Sequence, residues 1–191
     1  MADFNSAIKL VLQHEGGYVN HPNDPGGATN WGVSLRFLQD HSDVGDINHD
    51  GKVDIEDIAN MSIDDAKLIY KTLWWDKYGY GKFPDQTIAT KVFDFAINMG
   101  APRAHILLQQ ALNKAFGLRL TCDGIIGPAS LKVIASVADG DQEQRLLNAY
   151  CDEAWAFYQR LVTNNPKLGV FLKGWKNRAY SIKVANSLDP R

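Results

Sequence analysis

The sequence predicts a mainly α protein: one compact helical domain that carries a small β-hairpin. Three observations point that way. Apolar residues recur with a helical period along most of the chain, helix-starting and helix-stopping residues bracket those stretches, and turn formers crowd into one segment between Tyr18 and Ser34. Apolar residues make up 45% of the 191, enough to bury a sizeable core. No internal repeat, low-complexity segment or long linker interrupts them.

Taken in order, Ser6 is placed to cap a first helix with Ile8, Val11 and Leu12 on its apolar face, ending at Gly16 and Gly17. In the turn-rich segment, Val19 and Trp31–Val33 read as the short strands of a hairpin. Ser62 and Asp65 have the spacing of a capping box ahead of Ala66, Ile69, Tyr70 and Leu73. Thr87–Met99 is apolar nearly all round, which predicts a buried helix. Pro102 opens the next helix and Gly117 closes it, and Pro128 starts a short one. Glu143–Val162 has the clearest helical period, with Leu147, Tyr150, Cys151, Ala154, Trp155, Tyr158 and Leu161 on one face. Phe171–Leu188 supplies a last helix.

Charge narrows the function. With 20 Lys+Arg against 22 Asp+Glu the net charge is −2, which is no footprint of a nucleic-acid binder. No stretch approaches the ~20 apolar residues of a membrane span, so stable membrane insertion is not expected. The opening residues Met-Ala-Asp-Phe-Asn-Ser lack the basic and apolar regions of a secretory signal, so synthesis in the cytoplasm is expected. Cys122 and Cys151 have no metal-site spacing, and in that compartment they are expected as free thiols.

The segment Glu15-Gly16-Gly17-Tyr18 puts a carboxylate at a helix C-terminus. The negative end of the helix dipole disfavours its ionised form, and packing against a core would desolvate it. Both effects suit a general acid. The turns that follow bring Asp24 and then Thr29, and glycosidases commonly work with two carboxyls. A surface Glu before a glycine cap is the plain alternative.

The run EGGYVNHPNDPGGATNWGVS resembles the signature of the family 108 glycoside hydrolases, lysozyme-like muramidases. That resemblance implies a lysozyme-like helical fold with Glu15 as catalytic acid. In the wider phage-type lysozymes the site runs Glu, eight residues, Asp, five residues, Thr; here Asp24 and Thr29 are separated by four, one short of that pattern. VFDFAINMGAPRAHILLQQALN (92–113), TCDGIIGPASLKVI (121–134) and FLKGWKNRAY (171–180) resemble further segments of the family, the second being shared with peptidoglycan-binding modules. The resemblance thus divides the single domain into a catalytic part, 1–100, and a peptidoglycan-binding-like helical part, 101–191. It also implies peptidoglycan glycan strands as partner, a monomer, and release to the wall through a holin or a secretion system. Asn98, Gln109 and Trp175 are the expected substrate contacts, with helix capping, a solvated helix position and the core as their respective alternatives. Arg178 suits a peptide stem or a core carboxylate equally.

One motif lies outside the resemblance. DINHDGKVDIED (46–57) sets oxygen-bearing side chains at positions 1, 3, 5, 9 and 12 of a twelve-residue loop, with glycine at position 6. This is EF-hand arithmetic: Asp46, Asn48, Asp50, the Lys52 carbonyl and Asp57 are the expected ligands of a structural Ca2+ ion, with Gly51 at the turn and Asp54 at position 9. Asp at position 12, where an EF-hand has Glu, resembles the dockerin calcium loops, which occur in pairs. The alternative is an acidic turn capping the helix that begins near Asp54.

Hydrolysis of the β-1,4 bond between N-acetylmuramic acid and N-acetylglucosamine in peptidoglycan, with bacterial lysis, is therefore the expected function. A non-catalytic wall-binding or secretion-assisting protein is the main rival, and a calcium-dependent interaction module the second.

Overall fold

A computed structural model describes residues 1–14, 28–138 and 140–181. Among these the chain is mainly helical and its one sheet has two short strands, in keeping with the mainly α, lysozyme-like fold expected. It forms two compact units, Phe4–Lys77 and Tyr78–Arg191 with Met1–Asp3. The helix of 86–99 thus groups with the C-terminal helices.

The Phe4–Lys77 unit opens with α1 (Phe4–His14), which buries Ala7, Ile8 and Val11. It begins before Ser6, so that residue is inside the helix and does not cap it. Strand β1 (Thr29–Asn30) pairs antiparallel with β2 (Val33–Ser34), Thr29 opposite Ser34 and Asn30 opposite Val33. Val19, expected as a strand, lies outside the described residues. Trp31, also expected in a strand, instead forms the turn with Gly32, at φ 50° and 80°. A two-residue hairpin loop of the I′ kind needs positive φ at both central residues to match the twist of its strands. Glycine takes that conformation freely, whereas a bulky L residue is strained there by on the order of 1–3 kcal/mol.

Helix α2 (Leu35–Asp40) follows directly, the Ser34 hydroxyl accepting the Phe37 N–H at 3.2 Å. After α3 (Ser42–Gly45) and the acidic loop come α4 (Ile55–Asn60) and α5 (Ile63–Tyr70). The capping box predicted for α5 is formed: Ser62 Oγ accepts the Asp65 N–H at 3.2 Å, and the Asp65 carboxylate accepts the Ser62 N–H at 2.8 Å. A π-helical turn, Lys71–Asp76, continues α5, burying Trp75 and leaving Trp74 half-buried.

In the other unit Asp85 caps α6 (Gln86–Met99), which is buried nearly all round, as its composition predicts. Helix α7 (Ala101–Phe116) has Pro102 in its first turn and Gly117, left-handed at φ 65°, at its end. Glycine closes a helix this way without a Cβ penalty. Then come α8 (Pro128–Val137), α9 (Gly140–Asn164), a 3-10 segment (Pro166–Phe171) and α10 (Leu172–Tyr180). The last helix was expected from Phe171 to Leu188; a 3-10 turn occupies its first residue, and 182–191 lie outside the described residues. Helices α6, α7, α9 and α10 pack successively, with the Tyr150 hydroxyl donating to the Ala104 carbonyl at 2.9 Å between α9 and α7.

A charged cluster ties α10 to α6. Arg178 donates through Nε and Nη2 to Asp94 Oδ1, each at 3.0 Å, and Lys91 Nζ lies 3.7 Å from Asp94 Oδ2. Lys91 also donates to the Arg178 carbonyl and lies 4.3 Å over the Phe95 ring. Burial pushes the Lys91 pKa down and the Asp94 carboxylate opposes it. Arg178 therefore serves a core carboxylate. Asp94 is fully buried, a charge kept inside because it is paired.

Candidate active site

Of the expected catalytic residues, Glu15 and Asp24 lie outside the described residues, and Thr29 lies within them. Thr29 begins β1 and is half-buried. The hairpin that carries it is fastened at several points. Asn30, 6% exposed, donates through Nδ2 to the Ile58 and Met61 carbonyls at 3.0 and 3.2 Å, fixing β1 to the α4–α5 junction. The Ala28 carbonyl accepts the Leu35 N–H at 2.9 Å, and the Tyr70 hydroxyl donates to the Trp31 carbonyl at 2.9 Å. Buried amide and hydroxyl groups are costly to leave unpaired, so these bonds hold one hairpin geometry. Sequence reasoning missed Asn30 and Tyr70; each looks like an ordinary turn or core residue until its long-range partner is known.

The expected substrate contacts belong to the other unit. Asn98 is exposed near the end of α6, and its Oδ1 accepts the Tyr158 hydroxyl at 2.7 Å. The Tyr158 ring stacks on Trp175, with centroids 5.0 Å apart and planes at 18°. Asn98 and Trp175, 77 positions apart in sequence (175 − 98), are thus joined through Tyr158. Phe171, 53% exposed, adds a third ring 5.6 Å from Trp175. Sequence periodicity placed Tyr158 on the buried face of α9, which is correct, yet its hydroxyl reaches an exposed amide.

Gln109 is a buried residue of α7. It is 1% exposed, donates through Nε2 to Asp123 Oδ1 at 2.9 Å and to the Ile125 carbonyl at 3.1 Å, and accepts the Gly124 N–H at 2.9 Å. Its amide is spent clamping the Asp123-Gly124 turn, which corrects the expectation of sugar contact. Gly124 needs to be glycine twice over: φ is 79°, and a Cβ would meet the Pro102 carbonyl oxygen at 3.0 Å. His105 completes the clamp. Its Nδ1–H donates to the Gly124 carbonyl at 2.8 Å, and in the neutral ring that burial favours Nε2 accepts the Tyr80 hydroxyl at 2.8 Å. Burial pushes the His105 pKa down, with the Gly124 bond opposing.

The acidic loop closes on itself. Asp46 Oδ1 and Asn48 Oδ1 both accept the Asp50 N–H, at 3.1 and 3.0 Å; Asp46 Oδ2 accepts Gly51 N–H, and Asp50 Oδ1 accepts Lys52 N–H. Gly51 turns the chain at φ 85°. Asp57, expected as the last ligand, is 1% exposed. Its Oδ1 accepts the Ile47 and Asn48 N–H groups at 2.8 and 3.2 Å, and its Oδ2 the Asp54 N–H at 2.8 Å. It fastens the loop to α4. Among the described residues no three His, Cys, Asp or Glu side chains gather as a metal-holding group. The oxygens at positions 1 and 3 converge, but position 12 faces the backbone.

A helical fold of this kind with one small pinned hairpin is that of a lysozyme-like domain. The family model described as Glycosyl hydrolase 108 matches residues 8–100, and one described as Predicted Peptidoglycan domain matches 103–180. The solved structure of Brucella abortus SagA is 30% identical, covering 97% of this chain and 96% of its own, with a TM-score of 0.72. No curated protein gives a match. The chain belongs to the glycosyl hydrolase 108 family, and it is a peptidoglycan hydrolase.

Proposed function

We propose that the protein is an N-acetylmuramidase that cuts the β-1,4 bond between N-acetylmuramic acid and N-acetylglucosamine and so lyses bacterial cells. The observation that carries this reading is the Glu15…Asp24…Thr29 order inside a glycosyl hydrolase 108 match. Glu15, as a protonated carboxyl, gives its proton to the glycosidic oxygen as the bond to the anomeric carbon breaks. Water, held by Asp24 and by Thr29 on its pinned hairpin, adds to that carbon and gives its proton to the Asp24 carboxylate; in the retaining variant a carboxylate attacks first and water then displaces it, giving its proton to the Glu15 carboxylate. Asn98 and Trp175 are further contacts to the glycan in this reading.

Mass spectrometry of fragments released from purified peptidoglycan tests the reading. Reducing ends at N-acetylmuramic acid are expected, and Glu15→Gln is expected to lower their release about 100- to 10,000-fold without loss of fold. Ends at N-acetylglucosamine, cut peptides, or more than about a tenth of wild-type turnover in the variant would overturn it.

A calcium ion held by Asp46, Asn48, Asp50 and the Lys52 carbonyl belongs to the same proposal. It is supported by the spacing of Asp46, Asn48 and Asp50 at positions 1, 3 and 5 and by the convergence of Asp46 and Asn48 on one N–H, while Asp57, the expected last ligand, is spent on backbone N–H groups. Its role is a structural staple.

A further inference from the structure

The turn of the hairpin carries a residue that its backbone disfavours. Trp31 has φ 50°, where Asn, Asp or Gly is the ordinary choice. Such strain persists only where neighbours over-determine it, and an observed outlier of this kind is a reason to look for function. Here the neighbours are visible. Asn30 is bolted to the α4–α5 junction on one side, Ser34 caps α2 on the other, and Tyr70 holds the Trp31 carbonyl itself. Tyr70 is in turn fixed: it is buried, and its ring lies 5.6 Å from Trp74, which stacks on Phe37 at 5.1 Å. The fastening therefore acts on the backbone of residue 31, and nothing in it uses the indole.

The indole is half-buried, and among the described residues it has neither a hydrogen-bond partner nor a ring partner. A core role does not explain it, because fully buried rings such as Tyr70 and Tyr80 make such contacts. A turn role does not explain it either, since a smaller residue would fit better. What the indole offers is a flat, rigid, partly exposed face, two residues beyond Thr29 on the same hairpin. The negative face of an aromatic ring attracts the slightly positive axial C–H groups of a pyranose, which carries little charge of its own. We propose that Trp31 is a sugar-stacking platform: it binds one pyranose ring of the glycan strand next to the residue attacked at the Thr29 end of the hairpin. The inference rests on the muramidase reading for the identity of the strand, but its test is separate.

The test measures binding of soluble, peptide-free peptidoglycan glycan strands to the full chain, in a Glu15→Gln background so that nothing is cut. Trp31→Asn is expected to weaken binding about tenfold, the size of one good stacking contact. The same variant should melt at the same temperature or higher, because Asn tolerates left-handed backbone. Trp31→Phe should recover most of the affinity. A purely structural Trp31 would give the opposite pattern: a lower melting temperature in Trp31→Asn with affinity unchanged. Unchanged affinity in Trp31→Asn, or no recovery with Phe, overturns the platform. If strands bind in a Trp31-dependent way and the wild type still releases no N-acetylmuramic acid ends, the muramidase reading fails and the platform stands.

Discussion

Single polar side chains in this molecule do most of their work on turns. Gln109 and His105 clamp one turn between them, Asn30 and Tyr70 another, and Asp57 a third. His105 makes that dependence measurable. Its ring must be neutral to accept from Tyr80 while donating to Gly124, and burial holds its pKa below the ordinary value of about 6.5. The unfolded chain then takes up the proton first as pH falls. The stabilisation due to this site is fully present above pH ~6.5 and is lost as pH drops through the unfolded and then the folded pKa. Melting temperature should therefore fall between about pH 7 and 5. A His105→Gln variant should start lower at pH 7 and show a shallower fall, since that titration is gone. Parallel curves for the two proteins would mean that His105 does not titrate differently in the folded state. Tyr80 should not contribute, because burial pushes its phenol further above the neutral range.

Elements announced by local chemistry were legible, and elements set by distant partners were not. The Ser62–Asp65 box, Pro102 with Gly117, and the apolar girth of α6 all act within a few residues of themselves, so their spacing alone places α5, α7 and α6. The hairpin's turn was missed because Trp31 looks like a strand residue, and its left-handed backbone is held by Asn30 and Tyr70, whose bonds span roughly 28 and 39 positions. The π-helical turn at Lys71–Asp76 left no pattern in the sequence. Gln109 was misread for the same reason: its polar helix position gave no hint of a buried partner turn. Glu15 rests on motif resemblance. The acidic loop is intermediate, since its turn chemistry is local. If calcium binds, it should raise the melting temperature by several degrees over a chelated sample, since a ligand at a hundredfold excess over Kd adds about 2.7 kcal/mol. Asp46→Ala should erase that increment, whereas Asp57→Ala should lower stability with or without calcium, because it removes three backbone bonds at once. A melting curve indifferent to saturating calcium would reduce the loop to a self-closed turn.

Across the whole molecule, charge sets how the protein can find an insoluble, largely anionic wall. Its 20 basic and 22 acidic side chains leave a net charge of −2. Five of the described basic groups are also committed: Lys91 and Arg178 to Asp94 in the core, Lys67 to Asp64, Lys71 to Asp76, and Lys114 to Glu153. Exposed pairs of this sort add little stability, but they do neutralise positive potential locally. Long-range steering towards an anionic polymer needs an excess of one sign, and salt abolishes it as the Debye length shrinks from ~10 Å at 0.1 M to ~3 Å at 1 M. Contacts made by stacked aromatic rings and neutral amides, such as Trp175 with Tyr158 and Asn98, should be nearly indifferent to such screening. Wall binding should therefore change by no more than about twofold when salt is raised from ~0.05 to ~0.5 M, measured by co-sedimentation of the Glu15→Gln protein with purified peptidoglycan. A basic wall-binding module would instead lose most of its binding over that range. A steep loss here would show that a local basic patch, and not the aromatic and amide surface, carries the attachment.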